Sequence, residues 1–301
     1  MQDYAMMNLR DVDKLERKKT IFLMAVSPLE VHGPHLPLGT DVFVAEEMQK
    51  RYAEALKKEF PDFTLVRMPS LFVGSDALPI KGSVSVPATT LKNLLFATGK
   101  ALAEQGFHYL FLSDNHGGPR HQLAFEVAAR KLWKKYRFYL INPFGLVFKY
   151  MVQHDEEFMK KVGLPEGQVG DDADSHAGTN ETSLVMATDP SMISPDYSEI
   201  PPSEPPPPNR MALFFARIAK IFSKQLGRDL EHLANVLGWV GDTNMKPYMG
   251  FPAIASREAG EAMIKTRVGI AMNLFRKALG GEPVEINTML WGLRFLYKLP
   301  E

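Results

Sequence analysis

The sequence of 301 residues contains no cysteine. Disulfides and thiolate chemistry are therefore excluded, and any metal ion must be held by His, Asp and Glu side chains. Charge of one sign is not in excess either, because Lys plus Arg and Asp plus Glu each number 35. Without a basic excess, we expect neither a nucleic acid nor an anionic membrane as a partner.

Long apolar runs are also missing. No run approaches the roughly 18 apolar residues of a membrane-spanning helix. The first twenty residues are too polar for a signal peptide. These absences predict a soluble, cytoplasmic protein, and the apolar fraction of 45% is enough to build a large core.

Strand-like and helix-like segments alternate through the first half of the chain. Short apolar runs indicate strands, whereas apolar residues three or four apart indicate amphipathic helices. The predicted strands are 20–26, 64–68, 108–112 and 137–141, and the predicted helices between them are 42–60, 89–105 and 120–136. This alternation predicts an α/β fold, a three-layer α/β/α sandwich around a mostly parallel sheet.

The second half is organised differently. Residues 190–209 contain eight prolines, too many for a helix or a central strand, and we interpret them as a surface excursion. Helices are predicted afterwards at 210–226, 256–279 and 286–297. We interpret residues 1–301 as a single domain with a helical C-terminal third.

Potential metal ligands are concentrated where predicted strands end. Glu30, His32 and Asp41 follow the first strand, and His116 follows the third. His176 lies in a later glycine-rich segment, five residues before Glu181. Loops at the carboxyl ends of parallel strands share one edge of a sheet, so these residues can converge. A two-metal site needs about four to six such ligands and a shared carboxylate, which this set supplies.

Four segments, in this order, resemble the successive motifs of the creatininase family. They are SPLEVHGPHLPLGTD, LSDNHGG, SHAGTNETS and YMGFPAIASREAG, and they extend from about residue 20 to about residue 275. The resemblance implies a metal-dependent amidohydrolase with two divalent ions, which are Zn, Mn or Fe. It also implies a homo-oligomer, with the hexamer as one form. The implied metal ligands are Glu30, His32, Asp41, His116 and Glu181, with Asp41 bridging the two ions.

The resemblance also suggests roles in catalysis. A hydroxide that bridges the metals would attack an amide carbonyl, and His176 together with Glu181 would form the catalytic pair. Histidine suits proton transfer because its ordinary pKa is near 6.5. For substrate contact we expect the backbone of Gly117 and Gly118, an acidic group at Asp172 and a cation at Arg120.

The substrate is not expected to be creatinine itself. Creatinine-hydrolysing relatives have a tryptophan shortly before the histidine that corresponds to His176, and residues 170–175 contain none. We therefore expect a small molecule with a cyclic amide or formamide-type C–N bond other than a peptide bond. Two alternatives stay open: a dinuclear isomerase or lyase of a small polar metabolite, and a metal-binding family member without catalytic activity.

Overall fold

A parallel β-sheet forms the centre of the protein. The computed structural model describes residues 1–162 and 174–299. The strands are β1 (Gln2–Asp3), β2 (Thr20–Ser27), β3 (Thr64–Arg67), β4 (Leu71–Phe72), β5 (Tyr109–Ser113) and β6 (Tyr139–Ile141). They run in the order β1-β3-β2-β5-β6, and the short β4 pairs with the end of β2. The pairings between these strands are parallel.

Both faces of the sheet are covered, and β2 shows why. Every residue of this strand is buried. Successive side chains of a strand point to opposite faces. Accordingly Ile21 and Leu23 belong to one apolar core, whereas Phe22 and Met24 belong to another. An apolar run without polar alternation is typical of such a doubly covered parallel strand.

Helices form the two outer layers. Helix α2 packs against α7 and α10 over one face of the sheet, and α3 packs against α4 over the other. The predicted three-layer α/β/α fold is therefore confirmed. The helices are α1 (Leu9–Asp13), α2 (Thr40–Glu59), α3 (Ala88–Glu104), α4 (Pro119–Tyr136), α5 (Phe144–Val152), α6 (Glu156–Val162), α7 (Thr179–Thr188), α8 (Arg210–Phe222), α9 (Lys224–Val240) and α10 (Arg257–Leu279).

The predicted helix at 210–226 is wrong in its end point, because the chain turns at Ser223. This residue has extended backbone angles, and its hydroxyl accepts a hydrogen bond from the backbone N–H of Leu226 at 3.2 Å. It thus caps a second helix, α9, which folds back along α8. The prediction at 286–297 is also inaccurate, since the chain forms a 3-10 helix at Trp291–Lys298.

Only short 3-10 turns interrupt the proline-rich segment, at Pro190–Met192 and Tyr197–Glu199. Ser203 within it pairs in antiparallel fashion with Gly250. Across residues 1–162 and 174–299, none of the helices is both long enough and apolar enough to cross a lipid bilayer.

Candidate metal centre

Five of the predicted ligands meet at the carboxyl ends of β2 and β5. Glu30 and His32 lie in the loop after β2, and His116 lies in the loop after β5. Asp41 and Glu181 occupy the first turns of α2 and α7. Parallel topology explains this convergence, because adjacent strands deliver their loops to the same edge. The positive ends of two helix dipoles also favour carboxylates at these positions.

The five residues form two triplets that share Asp41. One is Glu30, Asp41 and His116, the other is His32, Asp41 and Glu181, and within each triplet the potential ligand atoms lie within 4.8 Å of one another. Asp41 Oδ2 is 3.3 Å from His116 Nδ1, and its Oδ1 is 3.5 Å from His32 Nε2. Each oxygen of this carboxylate therefore faces a different histidine.

Backbone carbonyls determine which nitrogen of each histidine faces the carboxylates. His32 Nδ1 lies 3.0 Å from the carbonyl oxygen of Glu30, and His116 Nε2 lies 3.0 Å from that of Ser75. Because a carbonyl can only accept, these nitrogens carry the hydrogen. When the rings are neutral, the lone pairs of His32 Nε2 and His116 Nδ1 then point into the cluster. Such a bond on the far nitrogen is typical of metal-binding histidines.

Three atoms at the centre of the cluster are buried and without a hydrogen-bond partner among the described residues. They are Glu30 Oε2, His32 Nε2 and Asp41 Oδ2. Buried polar atoms without partners are costly and rare in folded proteins. Each is a good ligand atom for a divalent cation. The residues therefore fit a metal ion on the chemistry and placement of their own atoms.

The electrostatics of the cluster reflect the crowding of acids around two histidines. Burial by itself lowers the pKa of His32, but the carboxylates of Asp41 and Glu181 outweigh it and raise this pKa to about 10. The pKa of His116 is likewise raised well above its ordinary value, because Glu30 and Asp41 outweigh burial. Although burial opposes it, these histidines hold the pKa of Asp41 well below its usual range. Without a bound cation, the positive charge of protonated His32 and His116 thus offsets the negative charge of the carboxylates.

Asn115 connects the two halves of the centre. Its Nδ2 donates to Asp41 Oδ1 at 2.9 Å and to Glu181 Oε1 at 3.1 Å, and its Oδ1 accepts from Arg267 at 2.6 Å. Arg267 is buried in α10. An arginine has only donors, so it must face the amide oxygen, and the NH₂ group must then face the carboxylates. The sequence contained no signal for Arg267, which lies more than 80 residues beyond the last motif ligand.

Asp114 supports the loop that carries His116. Its Oδ1 accepts from the hydroxyl of Ser27 at 2.6 Å and from the backbone N–H of His116 at 3.0 Å. Its Oδ2 accepts from Gln122 Nε2 at 2.6 Å and lies 3.4 Å from His121 Nε2. This buried network ties the ligand loop to the end of β2 and the first turn of α4.

His176 lies at the edge of the cluster rather than at its centre. Its Nε2 donates to the carbonyl of Val31 at 2.7 Å, and its Nδ1 is 3.8 Å from Glu181 Oε2. Its ring lies 4.3 Å from the ring of His32 and 5.4 Å from that of Trp239. His176 also forms a third potential triplet with Glu30 and His32.

The structure brings an unexpected tryptophan to the site. Trp239 lies near the end of α9, and its indole N–H donates to the carbonyl of Lys246 at 3.1 Å, which fixes the ring. Leu78 and Met249 pack with it into a small buried apolar cluster. No motif pointed to this residue, because its position depends on how the α8–α9 hairpin folds back.

The two glycines after His116 have their Cβ space filled by protein. A Cβ on Gly118 would lie 2.6 Å from His116 Nε2 and 2.8 Å from the carbonyl of Ser75. A Cβ on Gly117 would lie 2.8 Å from the ring of Phe148. Neighbouring side chains and backbone therefore leave no room for a side chain at these two positions, and contact of their backbone with substrate stays a prediction.

Two charged residues, Arg120 and Asp172, are expected to contact the substrate. Arg120 Nε donates to Asp76 Oδ1 at 2.5 Å, so this guanidinium is paired with a carboxylate of the protein. Asp172 lies outside the described residues. The nearby Asp174 is buried and accepts from the backbone N–H groups of Thr179 and Asn180 at 2.6 and 2.8 Å, which caps the start of α7.

Comparison with known proteins identifies the family. The sequence profile of the creatininase family, described as creatinine amidohydrolase, matches residues 5–275. The chain therefore belongs to the creatininase family, whose members are hydrolases. The match covers all four segments on which the resemblance rested.

Individual relatives are more distant. A mycofactocin precursor peptide peptidase of Mycolicibacterium smegmatis is 28% identical over 177 residues, which are 58% of this chain and 58% of the relative's length. A protein described as a creatinine amidohydrolase from Bacteroides fragilis has 22% identity and a TM-score of 0.63 over 92% of this chain and 96% of its own. A mutant creatininase of Zn-Zn type has 19% identity and a TM-score of 0.60 over 91% of this chain and 97% of its own. The structural likenesses establish the fold alone.

Proposed function

We propose that this chain is a dinuclear metal-dependent amidohydrolase of small molecules. It would cleave a C–N bond other than a peptide bond, in a cyclic amide or a formamide-type group. The observation that carries this proposal is the pair of ligand triplets that share Asp41, each of which contains buried atoms without a hydrogen bond among the described residues. Two triplets around one shared carboxylate are the arrangement that two-metal hydrolysis needs.

The ligand assignment follows the two triplets. Glu30 and His116 would hold one ion, His32 and Glu181 would hold the other, and Asp41 would contact both. Mixed His and carboxylate ligands suit Zn, Mn and Fe. When bound, two such ions supply an acidified water as nucleophile and polarise the carbonyl that it attacks.

His176 is placed to move a proton at Nδ1. Its Nε2–H is committed to the carbonyl of Val31, so Nδ1 is the nitrogen left to gain and lose a proton. Glu181 lies beside that nitrogen, at 3.8 Å. Together they would take the proton released by the nucleophile and deliver it to the nitrogen that leaves. Amines are poor leaving groups unless they are protonated.

The five proposed ligands differ in exposure to solvent. Glu30, His32 and Asp41 are almost fully buried, whereas the side chain of Glu181 is 16% exposed. Access is therefore on the side of Glu181 and His176, where Trp239 stands. An indole face beside the reacting groups suits a planar ring or amide, which stacks on aromatic surfaces. Gly117, Gly118, Asp172 and Arg120 stay proposed as substrate contacts.

A second candidate substrate is the terminal residue of a short peptide. This possibility is favoured by the 28% identity with a mycofactocin precursor peptide peptidase. Both candidates use the same residues, and they differ only in what surrounds the scissile bond.

A homo-oligomer, with the hexamer as one form, is also part of the proposal and can be measured by sedimentation.

The experiment is a substrate screen in water enriched in ¹⁸O. Protein loaded with Zn, Mn or Fe is offered cyclic amides, formamides and short peptides, beside the Asp41→Ala variant. Cleavage of a cyclic amide or formamide with one solvent oxygen in the product supports the first proposal. Cleavage of terminal peptide bonds alone supports the second. Conversion without solvent oxygen identifies an isomerase or lyase. A protein that carries both ions and converts nothing contradicts the hydrolase proposal.

A further inference from the structure

Helix α8 exposes its apolar side to solvent. Six large apolar residues are between 40% and 85% exposed: Met211, Phe214, Phe215, Ile218, Ile221 and Phe222. We call these six side chains the α8 apolar face. Single exposed apolar residues are normal, but a large contiguous apolar patch usually marks an interaction surface.

The spacing of these residues places them on one side of the helix. Relative to Met211 they follow at three, four, seven, ten and eleven positions, the repeat of one helix face. The opposite side is lined by alanines, of which Ala216 is fully buried. Helix α8 makes its main packing contacts with α9. Small residues thus face the protein and large apolar residues face outward, which is the reverse of a core helix.

The segment that contains α8 carries charge of one sign. Residues 205–228 contain five basic residues and no acidic residue: Arg210, Arg217, Lys220, Lys224 and Arg228. Within the described part of the chain only Lys220 among them has a recorded ion pair, with Glu231 at 2.8 Å. From the zero net charge of the whole chain we expected no membrane partner. That sum conceals the local excess of basic residues at 205–228.

We propose that α8 is an in-plane anchor for an anionic membrane surface. Helices that lie in the bilayer interface combine a Phe- and Leu-type face with Lys and Arg beside it. Phe214, Phe215 and Phe222 would enter the boundary between headgroups and acyl chains. Arg210 lies one helix turn from Phe214, and Arg217 lies one helix turn from Ile221. Both arginines would contact lipid phosphates. No described helix spans a bilayer, so the contact is peripheral.

Charge favours a membrane over a second copy of the chain as the occupant. An antiparallel two-fold pairing of α8 with itself would set the arginine edge of one helix against the same edge of the other. Like charges across an interface are repulsive, whereas anionic lipids attract each basic residue. An anionic bilayer therefore satisfies the apolar face and the basic edge together.

The hairpin also connects this surface with the metal centre. At the start of α8, the backbone N–H of Asn209 donates to the carbonyl of Ala234 in α9 at 2.8 Å. Five residues further along α9 is Trp239, beside His176. Docking of α8 would therefore restrain the helix that carries the indole of the site.

The test is flotation of the full 301-residue chain with lipid vesicles. We expect binding to vesicles of phosphatidylcholine with phosphatidylglycerol, weaker binding to phosphatidylcholine alone, and loss of binding as salt rises. The double variant Phe214→Ser/Phe222→Ser should bind at least about tenfold more weakly. Arg210→Gln/Arg217→Gln should lose about tenfold or more on the anionic vesicles only.

The matched control is Phe295→Ser, which changes another exposed phenylalanine, 58% exposed, outside α8. It should leave vesicle binding unchanged. Equal melting temperature and metal content in all variants would show that folding is intact. Failure of the parent protein to bind anionic vesicles overturns the proposal. So does a parent oligomer that dissociates in the double phenylalanine variant without vesicle binding, because the α8 apolar face would then contact a second copy.

Discussion

The metal centre and helix α8 break the usual rule of burial in opposite directions. At the centre, acidic and histidine side chains are almost completely buried, whereas on α8 six large apolar side chains are exposed. Buried charge and exposed apolar area are the informative exceptions in a folded chain. We propose that divalent cations occupy the first region and that an anionic membrane surface covers the second.

The two regions also differ in how they are held. Hydrogen bonds hold the ligands of the centre. The carbonyls of Glu30 and Ser75 bond to His32 and His116, and Asn115 bonds to Asp41 and is itself bonded by Arg267. Helix α8 rests mainly on α9. Substitutions in the centre should therefore change metal binding, catalysis and stability together. Substitutions on the α8 apolar face should change association with a partner and little else.

The largest effect is expected from Asp41→Ala. The shared carboxylate contributes to both triplets, so its loss should reduce bound metal from about two ions per chain to near zero. Elemental mass spectrometry on gently purified protein measures this. The control Asp62→Ala alters an exposed acid and should keep the full complement. A full complement in Asp41→Ala would contradict the bridging role.

The next largest effect is expected from His176→Ala, which distinguishes a role in proton transfer from a role as a metal ligand. His176→Ala should keep both ions and lose about 10²- to 10⁴-fold in turnover, the usual contribution of a general acid or base. Metal content and the rate constant are measured on the same preparation with the substrate found by the screen. Loss of one ion in this variant would instead place His176 in the third triplet, as a ligand with Glu30 and His32.

Metal affinity should depend steeply on pH. The pKa of His32 is raised to about 10 and that of His116 well above its ordinary value, so both rings carry a proton near neutrality when no cation is bound. Metal ligation needs the neutral ring, and binding therefore releases protons. Two released protons predict affinity that rises about hundredfold per pH unit from about pH 6 to about pH 8. Competition with a chelator measures it, and affinity independent of pH would contradict this assignment.

Two arginines of α10 provide a matched stability test. Arg267 is buried and bonded to Asn115, whereas Arg276 is about half exposed and pairs with Glu59. Arg267→Met should lower the free energy of unfolding by about 1–3 kcal/mol, because it leaves a buried amide oxygen without its donor. Arg276→Met should leave the free energy of unfolding nearly unchanged, because solvent screens an exposed ion pair. Urea unfolding of both variants measures the difference, and equal costs would show that Arg267 does not support the centre.

Arg267 also shows where prediction from sequence ends. The layers of the fold followed from alternating apolar runs, and Glu30, His32, Asp41 and His116 were recognisable because they stand next to strand ends with local glycines. Arg267 and Trp239 lie in ordinary helical patterns, and their place at the site depends on tertiary packing of α10 and of the α8–α9 hairpin. The end of α8 was missed for a related reason: Ser223 is a turn within an otherwise continuous helical pattern.

The smallest expected effect is the stability change of Phe222→Ala, set against Phe275→Ala. Phe222 is 85% exposed, whereas Phe275 is fully buried and stacks on Phe111 with ring centroids 4.2 Å apart. Removal of the buried ring should cost about 3–5 kcal/mol of unfolding free energy. Removal of the exposed ring should stay within about 0.5 kcal/mol. Urea unfolding at low protein concentration and without lipid tests both. If Phe222→Ala cost several kcal/mol, this ring would already be packed against protein in solution. The α8 apolar face would then not be free to contact a membrane, and the membrane proposal would be contradicted.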